Sequence, residues 1–242
     1  MTVYSIITIM VLAVITPMAL LLAALFSLVD RSGDLAHLVA RVWARLLVWS
    51  SFVRVKVVGR ENLDPRGTYV FAANHSSAFD ILVLLAYLPI QFRWLAKEEL
   101  FRIPVFGPVM GRIGYIPVNR SNPREGVRSL ERAAEKIRAG ASVIIFPEGT
   151  RSPDEKIGPF KRGGFTLAVK SGRPVVPVSI SGASKVLVAK TLKLHPGRIR
   201  IVLDKPMPTE GLERDRPGQD RLLERVREVI VGNHDPELGR RP

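Results

Sequence analysis

Residues 122–152 read NPREGVRSLERAAEKIRAGASVIIFPEGTRS, and this stretch decides the fold class. Asn122 is a good N-cap. Pro123 suits the first helical turn, where its preset φ helps and its missing N–H costs nothing. Val127, Leu130, Ala134 and Ile137 recur at helical spacing and make one apolar face, and Gly140 supplies a stop. The spacing predicts a helix over 123–139. Residues 142–146 follow as an apolar run without polar alternation, as expected of a strand buried on both faces. A loop rich in Pro, Gly and Asp then runs to Phe160.

The same alternation extends outward in both directions. Residues 53–58 are rich in β-branched side chains and end at Gly59; residues 68–73 form a second apolar run. The pattern predicts a helix over 78–88 stopped by Pro89, a strand over 92–96, a short helix over 104–112 and a strand over 115–118. On the other side it predicts a helix over 162–171, strands over 175–180 and 198–203, and a polar closing helix over 217–232. Helices between doubly buried strands imply an α/β domain over 53–232, a mixed, largely parallel sheet covered by helices. Residues 233–242, with Pro236, Gly239 and Pro242, read as a loose tail.

Ahead of this domain, Val3–Val29 carries no charged side chain. As a helix it is about 40 Å long, against roughly 30 Å of bilayer hydrocarbon. It lacks a basic leading region and exceeds a usual signal core, so membrane attachment is expected rather than cleavage. Pro17 predicts a kink or break, which leaves open a tilted span or a bent anchor in one leaflet. After the hinge 31–34, Leu35, Leu38, Val42, Leu46 and Trp49 recur at helical spacing. Arg41 and Arg45 beside Trp43 and Trp49 suit a headgroup interface. Packing on the domain is the alternative, and both can hold on different faces. Residues 1–52 are thus expected to form a membrane-associated helical pair.

Composition narrows the partners. Of a chain with a formal charge of +14, residues 31–203 carry +16 and each end −1, which calls for nucleic acid, an acidic membrane surface, or a phosphorylated substrate or carrier. The chain has no Cys, which excludes a disulfide scaffold, a thiolate nucleophile and Cys-ligated metal. Its four His, at 37, 75, 195 and 234, are scattered, so no metal site is expected. At 47% hydrophobic residues it is too apolar for a disordered chain.

In open α/β sheets ligands bind beyond the carboxyl ends of the strands. There the sequence places Asn74-His75-Ser76-Ser77-Ala78-Phe79-Asp80, then Lys97, then Asn119-Arg120, then Pro147-Glu148-Gly149-Thr150-Arg151-Ser152. His75 can act as a general base with Asp80 fixing its tautomer. Equally, Ser77 can cap a helix, Asp80 favour its dipole, and His75 be a turn residue. Lys97, Arg120 and Arg151 together suit a phosphate. Gly149 can bring a backbone N–H to an oxyanion or simply close a turn. There is no Gly-x-Ser-x-Gly elbow, so Ser76 and Ser77 are poor nucleophiles. Gly158–Gly163 has P-loop glycine spacing, but Gly164 stands where Lys is required.

These blocks resemble the glycerolipid acyltransferases. Asn74-His75-(x4)-Asp80 resembles their HX4D block, and Gly114 to Arg120 their second. Phe146 to Ser152 resembles the third, FPEGTRS, in full, and Val176-Pro177-Val178 the short fourth. Lys97-Glu98-Glu99-Leu100 is similar to a segment of bacterial members. The nearest group is the bacterial 1-acyl-sn-glycerol-3-phosphate acyltransferases. Pro117 and Asn119 depart from the second block and leave acceptor preference open.

The resemblance implies a mixed sheet under helices, with a helical pair on the membrane. It implies acyl transfer from acyl carrier protein or coenzyme A to the free hydroxyl of lysophosphatidic acid, with His75 as base and Asp80 orienting it. Lys97, Arg120 and Arg151 would grip the phosphate. Asn74, Glu148, Gly149 and Thr150 would shape the pocket, and Lys161 and Gly163 would join its basic rim. No cofactor is implied; the acyl thioester is a co-substrate. An anionic phospholipid membrane is the expected partner, with the domain on the cytoplasmic side of a bacterial inner membrane. Glycerol-3-phosphate, lysocardiolipin and lyso-ornithine lipid are rival acceptors. A tethered nucleic-acid module would use the same charge, but aromatics are only 7% and no reader motif occurs, so no nucleic acid is expected.

Overall fold

The computed structural model describes residues 2–119, 123–152, 156–213 and 215–239. Among these, seven strands form one sheet: β1 (Val53–Val58), β2 (Val70–Ala73), β3 (Phe92–Lys97), β4 (Ile116–Val118), β5 (Ser142–Ile145), β6 (Val175–Ser181) and β7 (Gly197–Leu203). Their spatial order is β1-β7-β6-β2-β5-β3-β4. β2 to β6 run parallel; β7 is antiparallel to β6 and parallel to β1, so the sheet is mixed and largely parallel as expected.

Alternation within the central strands builds two cores. Val70 and Ala72 pack toward α5 (Pro123–Arg138), α6 (Arg162–Ser171) and α8 (Arg216–Asn233). Phe71 and Ala73 pack toward α2 (Asp34–Ser50), α3 (Phe79–Tyr87) and α4 (Phe106–Arg112). All four β2 side chains are buried, which is why the strand reads as uniformly apolar. In α5, Ala133, Ala134 and Ile137 are buried, and Gly140 at φ +104° ends the turn that follows. Local signals did not announce the 3-10 turns Arg60–Asn62 and Glu98–Arg102 or the short α7 (Ala183–Val186).

α1 (Val3–Val29) is continuous through Pro17, where a kink or break was expected. Pro17 is exposed, and for want of an N–H it donates no bond to the helix ladder. The second helix has two distinct faces, as the combined reading allowed. Leu35, Leu38, Val42, Leu46 and Trp49 are all exposed, whereas Ala36, His37, Ala44, Leu47 and Val48 are buried against the domain. Arg41 donates to the Leu88 carbonyl and Arg45 to that of Ala86 at 2.7 Å, with its guanidinium over the Tyr87 ring. They satisfy carbonyls that the end of α3 leaves without helical partners.

The expected loose tail is tied down over its first part. Asp235 N–H donates to Ser181 Oγ at 3.0 Å, and the Asp235 carboxylate accepts from the amides of Glu237 and Leu238.

Candidate active site

Sheet order brings the site together. β2 pairs β5 in parallel, Val70 opposite Val143 and Ala72 opposite Ile145, so the loops that follow them leave one edge side by side. β3 and β4 end on the same edge, with Lys97 opposite Val118.

His75 is held from four directions. Its amide donates to Glu148 Oε1 at 2.8 Å, and its carbonyl accepts from Ser152 N–H at 2.9 Å. Its ring stacks on Phe146 at 3.9 Å between centroids, and Nδ1 lies 2.9 Å from Asp80 Oδ2. That same oxygen accepts from the amides of Ser76 and Ser77, each at 2.8 Å. Asp80 is fully buried in the first turn of α3. Burial pushes its carboxyl above the usual carboxylate range, while the donors from His75, Ser77 and Ser76 pull the other way. The helix-start reading also holds in part, because Ser77 Oγ accepts from Phe79 N–H. One carboxylate thus organises the turn and orients the imidazole.

The structure separates the remaining residues. Lys97, Gly149, Thr150 and Arg151 line the same cavity as His75. Lys97 is exposed and pairs with Glu99 at 3.0 Å; Arg151 is exposed. Arg120 lies outside the described residues. Asn74 does not reach the cavity: its amide exchanges two hydrogen bonds with the Ile180 backbone, at 2.7 and 2.9 Å, and clamps β2 to β6. Glu148 is buried and spends both oxygens inside the protein, Oε1 on His75 and Oε2 on Ser152 Oγ (2.9 Å) and Gly158 N–H (3.0 Å).

The Gly149 amide donates to Phe146 O at 3.0 Å, closing the turn rather than facing an oxyanion. Its φ of +79° and missing side chain both matter, since a Cβ would stand 2.7 Å from Lys161 Nζ. Lys161 therefore lies against the Gly149 turn and is not among the residues that line the cavity. Gly163 is exposed with nothing near its Cβ position; close packing falls on Gly164, whose Cβ would meet Ile145 at 2.3 Å.

Sequence reasoning did not foresee the cavity itself. It measures about 680 Å³, and its walls come from α1, α2, α3, α4 and the strand ends. Phe146 stacks on Trp94 at 6.0 Å as well as on His75. Tyr115 closes another part of the wall, and Trp43 donates to Thr16 Oγ1 at 3.0 Å. The available signal was small residues in an otherwise bulky helix: Thr16, Ala19 and Ala23 share one face of α1 and all line the cavity.

The sequence profile of the acyltransferase family, described as Acyltransferase, matches residues 54–181. A 1-acyl-sn-glycerol-3-phosphate acyltransferase of Brassica napus, BAT2, chloroplastic, is 39% identical over 173 residues, 71% of this chain and 50% of that protein. The chain thus spans about half the length of this plant relative. The Pseudomonas aeruginosa 1-acyl-sn-glycerol-3-phosphate acyltransferase is 33% identical over 178 residues, 72% of this chain and 68% of that one. Among solved structures, the 1-acyl-sn-glycerophosphate (LPA) acyltransferase PlsC from Thermotoga maritima superposes with a TM-score of 0.74 at 26% identity, covering 95% of this chain and 94% of that one. The profile covers every strand from β2 to β6 and both loops that hold the His75–Asp80 pair, and this chain belongs to the acyltransferase family.

Proposed function

We propose that the protein transfers an acyl chain from an acyl carrier protein or coenzyme A thioester to the sn-2 hydroxyl of lysophosphatidic acid, forming phosphatidic acid. The observation that carries this is an imidazole whose Nδ1 is committed to buried Asp80, set where an apolar cavity meets a cationic rim. Nε2 is then the nitrogen that takes the acceptor proton. As the O–H bond breaks, the oxygen attacks the thioester carbonyl and a tetrahedral intermediate forms. The C–S bond then breaks, and the leaving thiolate recovers the proton from His75. The products are an ester and a thiol, with no protein nucleophile and no cofactor.

Lys97, Arg151 and Arg120 hold the acceptor phosphate, with Lys161 extending the rim. The cavity receives an acyl chain, whose burial contributes about 0.8 kcal/mol per methylene. Relatives named for 1-acyl-sn-glycerol-3-phosphate support this acceptor over glycerol-3-phosphate, lysocardiolipin or lyso-ornithine lipid.

The membrane reading rests on α1, which is long and apolar enough to cross a bilayer. Its polar groups favour another posture. Thr2 Oγ1 donates to Leu194 O, Ser5 Oγ accepts from Leu194 N–H, and Thr8 Oγ1 donates to Ser50 O. With Thr16 on Trp43 and Ala23 buried, these ties run about 30 Å along the helix. A helix moored along that length lies on the domain and offers its outer face to one leaflet, which for a bacterial inner membrane is the cytoplasmic one.

The test is a purified-enzyme assay offering lysophosphatidic acid and the three rivals with both thioester types. His75→Ala is expected to lower kcat by about 10²–10⁴ without unfolding the protein. Near-normal turnover in that variant refutes the base assignment.

A further inference from the structure

The segment between the 3-10 turn Glu98–Arg102 and α4 has an unusual backbone. Val105 has φ +66° and ψ −54°, and Phe106 N–H donates to Pro104 O at 2.8 Å. This is a γ-turn, rare and strained, and worse for a β-branched residue. Its base is firm: Gly107 N–H donates to Ile103 O at 2.8 Å, and a Cβ on Gly107 would stand 2.0 Å from Phe101 O. What the strain achieves is outward display. Val105 is 65% exposed, and Leu100, Ile103 and Phe106 beside it are also exposed.

The patch is continuous with two other features. Leu100 and Phe106 are exposed and also line the cavity, so this turn is the lip of its mouth. Thr16, Ala19 and Leu20 of α1 line the same cavity, and the outer face of α1 exposes Met10, Val14, Met18, Leu21 and Leu25. Lys97, Arg102 and Arg112 flank the turn, with Lys97 paired to Glu99 and Arg102 to Glu98. A rigid apolar tip bordered by cations, next to a helix suited to lipid, matches a bilayer surface better than water.

We propose that the Ile103–Phe106 turn is a second membrane-insertion point, seated in the same leaflet as α1. The cavity mouth between them then opens sideways into lipid, and an acceptor reaches His75 without leaving the bilayer. The insertion stands by itself; the lipid traffic rests on the acyltransferase reading.

The chain has no Cys, so a single one can be labelled cleanly. Val105→Cys carrying an environment-sensitive fluorophore is mixed with vesicles of equal parts phosphatidylethanolamine and phosphatidylglycerol. Lys170→Cys on α6, across the sheet, is the reference. Emission at 105 is expected to shift to the blue and to be quenched by brominated lipid, while that at 170 stays unchanged. A label at 105 that stays water-like on vesicle-bound protein overturns the proposal. So does a blue shift without vesicles that grows with protein concentration, which would mean self-association.

In a second arm, the double variant Ile103→Asp with Val105→Asp is expected to keep its turnover on a short-chain, water-soluble lysophosphatidic acid. On vesicle-borne substrate it should lose about tenfold, roughly the effect of one apolar side chain left out of lipid. Equal rates on both substrates overturn the lipid-access claim. Wild-type protein inactive on both would instead refute the acyltransferase reading and leave the fluorescence result standing.

Discussion

Replacing Glu148 by Gln keeps its shape and removes its charge, and no orientation of the new amide suits the site. Three donors meet the carboxylate: His75 N–H on Oε1, and Ser152 Oγ with Gly158 N–H on Oε2. If the Gln oxygen takes the Oε1 place, its NH₂ faces the Gly158 amide. If it takes the Oε2 place, its NH₂ faces the His75 amide. Either way one buried N–H loses its acceptor, which costs about 1–3 kcal/mol. At about 2–4 °C per kcal/mol for a chain of this size, the variant should melt a few degrees to about 12 °C lower in detergent. The orientation that frees His75 also displaces the base, and a 1 Å error in such a group costs about 10² in rate. We therefore expect Glu148→Gln to lower kcat by roughly 10- to 100-fold, with KM for lysophosphatidic acid little changed. A rise in KM alone would mean that Glu148 shapes the acceptor pocket directly, as the family resemblance first implied. A variant with wild-type melting and wild-type kcat would refute the positioning argument altogether.

Arg151→Ala should raise KM for the acceptor by roughly 10- to 100-fold, the loss of one charged hydrogen bond; a change confined to thioester kinetics removes Arg151 from the phosphate site. Arg41→Ala should lower thermal stability by about 1–2 kcal/mol, because the Leu88 carbonyl loses its partner. Trp49→Ala should leave melting unchanged and weaken vesicle binding; the reverse pattern would refute a lipid-facing role for Trp49. His37 is buried, and burial, with the charges of Arg93 and Arg41 behind it, pushes its imidazole down to about 3. The unfolded chain takes up that proton near pH 6.5 and the folded chain does not. His37 therefore destabilises the fold progressively as pH falls from about 6.5 toward 3, by up to about 1.4 kcal/mol per pH unit. His37→Gln should flatten that slope in a series of melting curves; an identical slope refutes the assignment.

The N-terminal pair shows how far local pattern carries. Helical spacing located both helices to within a few residues, because that period arises within the helix itself. Which face of α2 meets the domain was not in the pattern. The bulky stripe, Leu35 to Trp49, stays outside, and the smaller Ala36 and Ala44 let α2 approach the core. The acceptors of Arg41 and Arg45 were out of reach for the same reason, since they belong to the end of a helix some forty residues away.

By itself the sequence determined the α/β class, the apolar head, and the two chemical blocks around His75 and Glu148. Those depend on periodicity, turn residues and composition, which act over a few residues. Only the tertiary structure decided what each side chain does. With β5 inserted between β2 and β3, Glu148 becomes the anchor of His75, and the Gly149 amide serves the turn. Asn74, one residue from the base, is occupied by β6. The cavity needs walls from four helices and strand ends distant in the chain, and its lip needs a strained turn at Val105. Such partners are set by strand order and packing, long-range choices that no short window of sequence contains.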